Sequence, residues 1–146
     1  MARFDCPGLD KVISDMQRMA ETGGACAEAM VDQAVVIIRD SWRESAERHG
    51  HRDTGAMIES VGFPNPTVKM GDILSRDVFP QGRDEKGTRN AEKAFILNYG
   101  KSRFPGTYWV DEAEAAADPK VAAALEQMWD QYLKTGKVPV VIDTGK

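Results

Sequence analysis

From about Ala25 to Arg48 the chain carries neither glycine nor proline, and the fold must accommodate one long helix and pack the remainder around it. The stretch is rich in Ala, Met, Val and Ile and becomes charged at Arg43, Glu44, Glu47 and Arg48. Met30, Ala34, Ile37, Ser41 and Trp42 are expected on its buried side. The β-branched run Val35 to Ile38 favours a strand in isolation, but the helix-favouring flanks on both sides outweigh it. Upstream, Leu9, Val12, Ile13, Met16, Met19 and Ala20 recur at helical spacing, which predicts a separate amphipathic helix ended by Gly23 and Gly24.

Beyond Gly50 the pattern changes to short segments. Met57 to Val61 is expected as a strand bounded by Pro64 and Pro66, which cannot donate to a ladder. Further β segments are expected at Thr67 to Met70 and Ile73 to Phe79. Gln81 to Asn90 is polar and glycine-containing, and is expected to be an exposed loop that orders on assembly. Asn90 is placed to cap a helix from Ala91 to Tyr99 that Gly100 stops. Asp118 and Pro119 form a helix-start signal, and Val121, Leu125, Met128 and Tyr132 share one face of that final helix. Thr135, Gly136 and Lys137 end it. The fold class read from this order is α+β: a small, mostly antiparallel sheet against two or three helices, in one domain over residues 1–137 with an extension at 138–146.

At 146 residues the chain suits one core. Its mean hydropathy is −0.44, and the apolar run Ala34 to Ile38 is far too short to cross a bilayer. The N-terminus lacks the order of a signal peptide, and a cytoplasmic origin is expected. Cys6 and Cys26 are read as reduced thiols. A net charge of −4 and a pI near 5.2 argue against binding nucleic acid by neutralising phosphates. They are compatible with a surface past which DNA slides. His49, His51 and Asp53 suggest a metal or acid–base site only weakly, since two histidines do not complete a zinc shell. The two histidines are therefore expected to be dispensable for assembly. No nucleophile elbow, zinc-protease, phosphate-loop or dinucleotide pattern occurs, and neither enzymatic activity nor a cofactor is expected.

The order Gly8-Leu9, the long helix, Asp53-Thr54-Gly55, the segment Arg89 to Gly100 and Pro105-Gly106-Thr107-Tyr108-Trp109-Val110 resembles the tail-component family of tailed bacteriophages. The resemblance covers roughly residues 8 to 134. Asp53, Thr54, Gly55, Tyr99 and Gly100 match its motifs, and Trp109 and Val110 occupy its aromatic–aliphatic pair. Asp111 and Glu112 stand where Arg-Pro is common. What the resemblance implies is a structural virion protein that forms a ring, hexameric or twelvefold, in the neck or at the top of the tail. Its partners would be copies of itself and neighbouring neck, connector or tail-tube proteins, and DNA would pass through without sequence-specific binding.

In residue terms, Asp53 or Thr54 closes a turn by its side chain and Gly55 permits positive φ. Gly100 acts similarly after Tyr99, and Trp109 anchors the last helix. Subunit contacts are expected from Arg83, Lys86, Arg89 and Arg103, and from Val140, Val141 and Ile142 adding a strand to a neighbour. The rival reading takes the basic stretch Arg83 to Arg103 as the footprint of a cytoplasmic nucleic-acid-binding or regulatory module.

Overall fold

The computed structural model describes residues 7–143. Cys6 and residues 144–146 lie outside that range. The chain has the α+β architecture read from its sequence, as four helices with antiparallel β pairs between them. The order is α1 (Pro7–Arg48), α2 (Ala56–Ser60), β1 (Val61–Gly62), β2 (Val68–Met70), β3 (Ile73–Ser75), β4 (Phe79–Pro80), α3 (Asn90–Tyr99), β5 (Gly100–Lys101), β6 (Phe104–Pro105) and α4 (Trp109–Thr135). The β content is divided into three two-stranded antiparallel ribbons, β1 with β4, β2 with β3 and β5 with β6.

Two helix breaks expected from the sequence are absent. Gly23 and Gly24 lie inside α1, which runs 42 residues, about 63 Å at the α-helical rise. Each glycine costs up to about 1 kcal/mol relative to alanine in a helix interior, and the packing of the following turns against α4 outweighs that. Likewise Asp118-Pro119 does not start a helix, because α4 continues through Pro119. Ala113 and Ala117, just before it, are buried. Packing on both sides of the proline keeps the axis going where local signals favour a stop. A third correction concerns Met57 to Val61, which is helix α2 followed by β1 and not a strand throughout. Met57 and Ile58 are both buried, and adjacent residues on one buried face fit a helical turn better than an alternating strand.

The α1–α4 pair forms the long axis of the protein. Small residues are buried along both helices: Cys26, Ala29, Ser41, Ser45 and Ala46 on α1 and Ala113 and Ala117 on α4. Ser41 is buried as expected, whereas Met30, Ala34, Ile37 and Trp42 are only partly covered. At the C-terminal end of α1, Ala46, Met57, Ile58, Ala94 and Trp109 make a compact core onto which Trp42, Leu97 and Val110 pack.

Candidate functional site

Of the residues singled out by sequence, Asp53, Thr54, Gly55, Tyr99, Gly100 and Trp109 lie around one joint, where the end of α1, the end of α3 and the start of α4 meet. Gly55 has φ 87°, a left-handed conformation that glycine adopts without strain. The Thr54 hydroxyl accepts a hydrogen bond from the Ala56 amide at 3.3 Å. This turn hands α1 to α2, not directly to a strand. Gly100, φ 83°, faces Gly106; a Cβ on Gly100 would strike the backbone of residues 104–106, and one on Gly106 would strike the backbone at the end of α3 and at Gly100. The pair of glycines lets the two chains touch.

Trp109 is fully buried. Its ring meets the edge of Trp42 at 5.7 Å and of His51 at 6.1 Å between centroids. Asn98, which sequence reasoning missed, ties the joint together. Tyr108 sits at positive φ, 53°, and gives α4 no side-chain cap. Asn98 supplies one from α3: its Oδ1 accepts from the Val110 amide at 2.9 Å, while its Nδ2 donates to Asp111 Oδ2 at 3.0 Å. Its backbone carbonyl also accepts from the Tyr108 amide at 3.0 Å. The only hint in the sequence was an asparagine amid the apolar residues of a short helix.

The two histidines are tied into the same joint. His49 Nε2 pairs with Glu112 Oε2, and Arg48 lies 3.6 Å from the same carboxylate. The His49 bond, followed by the Arg48 charge, pulls the Glu112 carboxyl below its ordinary range. His51 Nε2 lies 2.7 Å from Thr107 Oγ1. Its pKa is lowered, first by burial and then by His49 stacked on it. His49 thus links the end of α1 to the first turn of α4, and His51 links it to the segment that precedes α4. Asp53 is exposed beside them. Among the described residues no group of three or more His, Cys, Asp or Glu side chains is placed to hold a metal ion.

A groove of about 480 Å³ lies beside the joint, lined by His51, Arg52, Met57, Lys93, Leu97 and Phe104 among others. Two of its cations have partners: Arg52 Nε donates to Glu47 Oε1 at 2.6 Å, and Lys93 pairs with Asp84; Lys101 is exposed.

The loop 81–90 is ordered within the subunit, a correction to the expectation that it orders on assembly. Asp84 Oδ1 accepts from the Lys86 amide at 2.9 Å and the Thr88 amide at 2.8 Å. Arg83 Nη1 donates to the Gly87 carbonyl at 2.7 Å, and Arg83 and Arg89 form a backbone bridge. The pairing with Lys93, together with those amide bonds, holds the Asp84 carboxyl below its usual pKa. Asn90 does not cap α3. Arg89 occupies the cap position, and the buried Asn90 amide donates to the Gln81 carbonyl at 2.7 Å. Lys86, Arg89 and Arg103 remain exposed, with Arg103 on the separate β5–β6 turn.

The C-terminal segment also departs from expectation. Val140, Val141 and Ile142 form no strand, and the segment lies along its own α1. The Gln33 carboxamide acts as a one-residue strand partner: Oε1 accepts from the Ile142 amide at 2.8 Å and Nε2 donates to the Ile142 carbonyl at 3.1 Å. Arg39 clamps Asp143 through two bonds, at 2.6 and 3.1 Å. Val140 and Ile142 still point outward, Val140 at 84% exposure.

Apolar surface remains uncovered in several places, among them Val68, Met70 and Ile73 on the β2–β3 ribbon and two larger clusters. Leu9, Val12, Ile13 and Met16 on α1 are 44–65% exposed. Phe95, Tyr99, Phe104 and Tyr108, around α3 and the β5–β6 ribbon, are 44–63% exposed. Phe95, Tyr99 and Tyr108 touch in sequence, with centroids 4.9 and 6.3 Å apart. The chain exposes 10096 Å² in all, whereas a compact monomer of this mass exposes about 7400 Å². No helix of the described residues is long and apolar enough to cross a membrane.

No family model matches this chain, and neither the curated proteins nor the solved structures contain a match to it.

Proposed function

We propose that this chain is a structural subunit of a tailed-phage particle, assembling as a ring at the neck or the top of the tail that joins or completes the tail while leaving an axial path for DNA. The observation that carries the reading is the uncovered apolar surface. The largest apolar patch on a monomer is often functional, and among the exposed apolar residues two clusters, Leu9 to Met16 on α1 and the rings around α3, stand at separate places on the described chain. A subunit that meets one neighbour at each patch uses a heterologous interface, the kind that closes into rings. The sequence pattern from Asp53-Thr54-Gly55 through Trp109-Val110 supports the same assignment through its likeness to tail-component proteins. Buried Trp109, Asn98 and the glycine pair then serve as scaffold and carry no chemistry.

The nucleic-acid reading has less support. Arg83 and Lys93 are occupied within the loop, and the net charge of −4 opposes phosphate binding. The test is electron microscopy of particles made by a genome from which this coding sequence is deleted. Filled heads and tails that fail to join, or tails of uncontrolled length, are expected. Normal infectious particles would refute the reading.

A further inference from the structure

Among the described residues, the N-terminal part of α1 has no cover. α4 ends beside residues 18–22: Tyr132 Oη lies 2.6 Å from Thr22 Oγ1 and donates to the Met19 carbonyl at 3.3 Å, and the Arg18 guanidinium sits against Gly136. Residues 8–14, 16 and 17 are all exposed, so more than two turns of helix overhang the body. On that overhang Leu9, Val12, Ile13 and Met16 stand at i, i+3, i+4 and i+7, the spacing of a helix that lays one face into a partner. At 100° per residue Asp10 and Asp15 flank this stripe, while Lys11 and Arg18 fall on the opposite side.

We infer that the stripe Leu9–Met16 docks on the aromatic face Phe95–Tyr99–Tyr108 of a second copy of this chain. The inference rests on the ring reading above and names the contact that would build it. Three observations select this occupant. The stripe cannot reach the aromatic face of its own chain: Ile13 is 33 residues from Ala46, about 50 Å along one helix, and Ala46 belongs to the core on which α3 packs. The sizes match. The three rings, each of which buries about 150–250 Å² when covered, leave about 350 Å² open at the exposures given. The four aliphatic and thioether side chains leave a similar area. Together they approach the apolar share of a standard interface of about 1600 Å². The charges agree in part, since Lys101 and Arg103 stand on the exposed turn beside the aromatic face and the exposed Asp10 flanks the stripe, while Asp15 on its other flank is paired with Arg18 at 3.0 Å. Because donor and acceptor surfaces differ, each copy offers one of each, and the contact propagates from copy to copy.

The experiment uses the full chain with Cys6→Ser, leaving buried Cys26 in place. Ile13→Cys and Phe95→Cys are introduced singly and together and treated with a short bis-maleimide. The double variant should give a covalent ladder extending beyond dimer, and an equimolar mixture of the two single variants should stop at dimer. Ile13→Asp should lower the oligomer mass by light scattering, with helix content and thermal midpoint unchanged because the overhang is not core. Ile13→Leu should keep the wild-type mass. An oligomer that survives Ile13→Asp, or efficient linking of Ile13→Cys to itself, overturns this interface and leaves the ring reading standing. A stripe variant that loses binding to phospholipid vesicles while keeping its oligomer mass also overturns it. A wild type that stays monomeric at every concentration overturns both.

Discussion

Ser45 Oγ donates a 2.6 Å hydrogen bond to the backbone carbonyl of Trp109, and one helical turn earlier Ser41 Oγ donates to the Ala113 carbonyl at 2.7 Å. Two serines four apart on α1 thus bind two carbonyls four apart on α4. The register between the two long helices is fixed where Trp109 enters the core. Trp109→Ala should lower stability by about 3–5 kcal/mol, the usual cost of truncating a buried large aromatic. Urea unfolding followed by circular dichroism checks this, and an unchanged midpoint would show that the joint does not depend on the ring.

Asn98 links α3 to the first turn of α4 through its side chain and is almost fully buried. Asn98→Ala leaves the Val110 amide without its partner, which should cost about 1–3 kcal/mol. Asn98→Asp keeps the acceptor for Val110 but puts a carboxylate against Asp111, and should not recover the loss. Denaturant midpoints of the two variants separate a capping role from simple space filling.

The continuity of α1 has a direct chemical consequence. A Cβ at Gly23 or Gly24 would meet nothing within 4 Å, and both positions are helical. Each Gly→Ala change should therefore raise stability by about 0.5–1 kcal/mol. If the two glycines instead formed a turn between separate helices, alanine would destabilise the protein.

Stability should fall in mild acid. The pKa of His51 is lowered in the folded state by burial and by His49, so the unfolded chain binds its proton more readily. The stabilising contribution is fully present above the ordinary histidine value of about 6.5 and is lost as the pH falls from there through the depressed folded value. Glu112, also depressed, acts in the same direction at lower pH, below the ordinary carboxylate value. Thermal midpoints measured between pH 8 and pH 5 should decline, and His51→Gln should flatten the part of the decline above pH 5.

The sequence pattern was most legible where local and tertiary preferences agree. The long helix, the stop at Gly100, the αL turn at Gly55 and the end of α4 at Gly136 each follow from residues whose conformational limits act locally. It misled where packing over distance overrides a local signal. Gly23-Gly24 and Asp118-Pro119 signal breaks, yet helix pairing carries the axis through both. The C-terminal segment carries the strand-favouring Val140 to Ile142, but Gln33 and Arg39, more than 100 residues away, capture it first. Of the joint, Trp109 and the glycines could be read from their types. Asn98 could not, since its role depends on which backbone amide arrives beside it.

The central claim is that this chain builds a ring. The most direct measurement is native mass spectrometry of the purified protein combined with electron-microscopy class averages across a range of concentrations. A closed assembly of six or twelve copies with an axial opening is expected. A species that remains a monomer throughout, or an isologous dimer that grows no further, would contradict it.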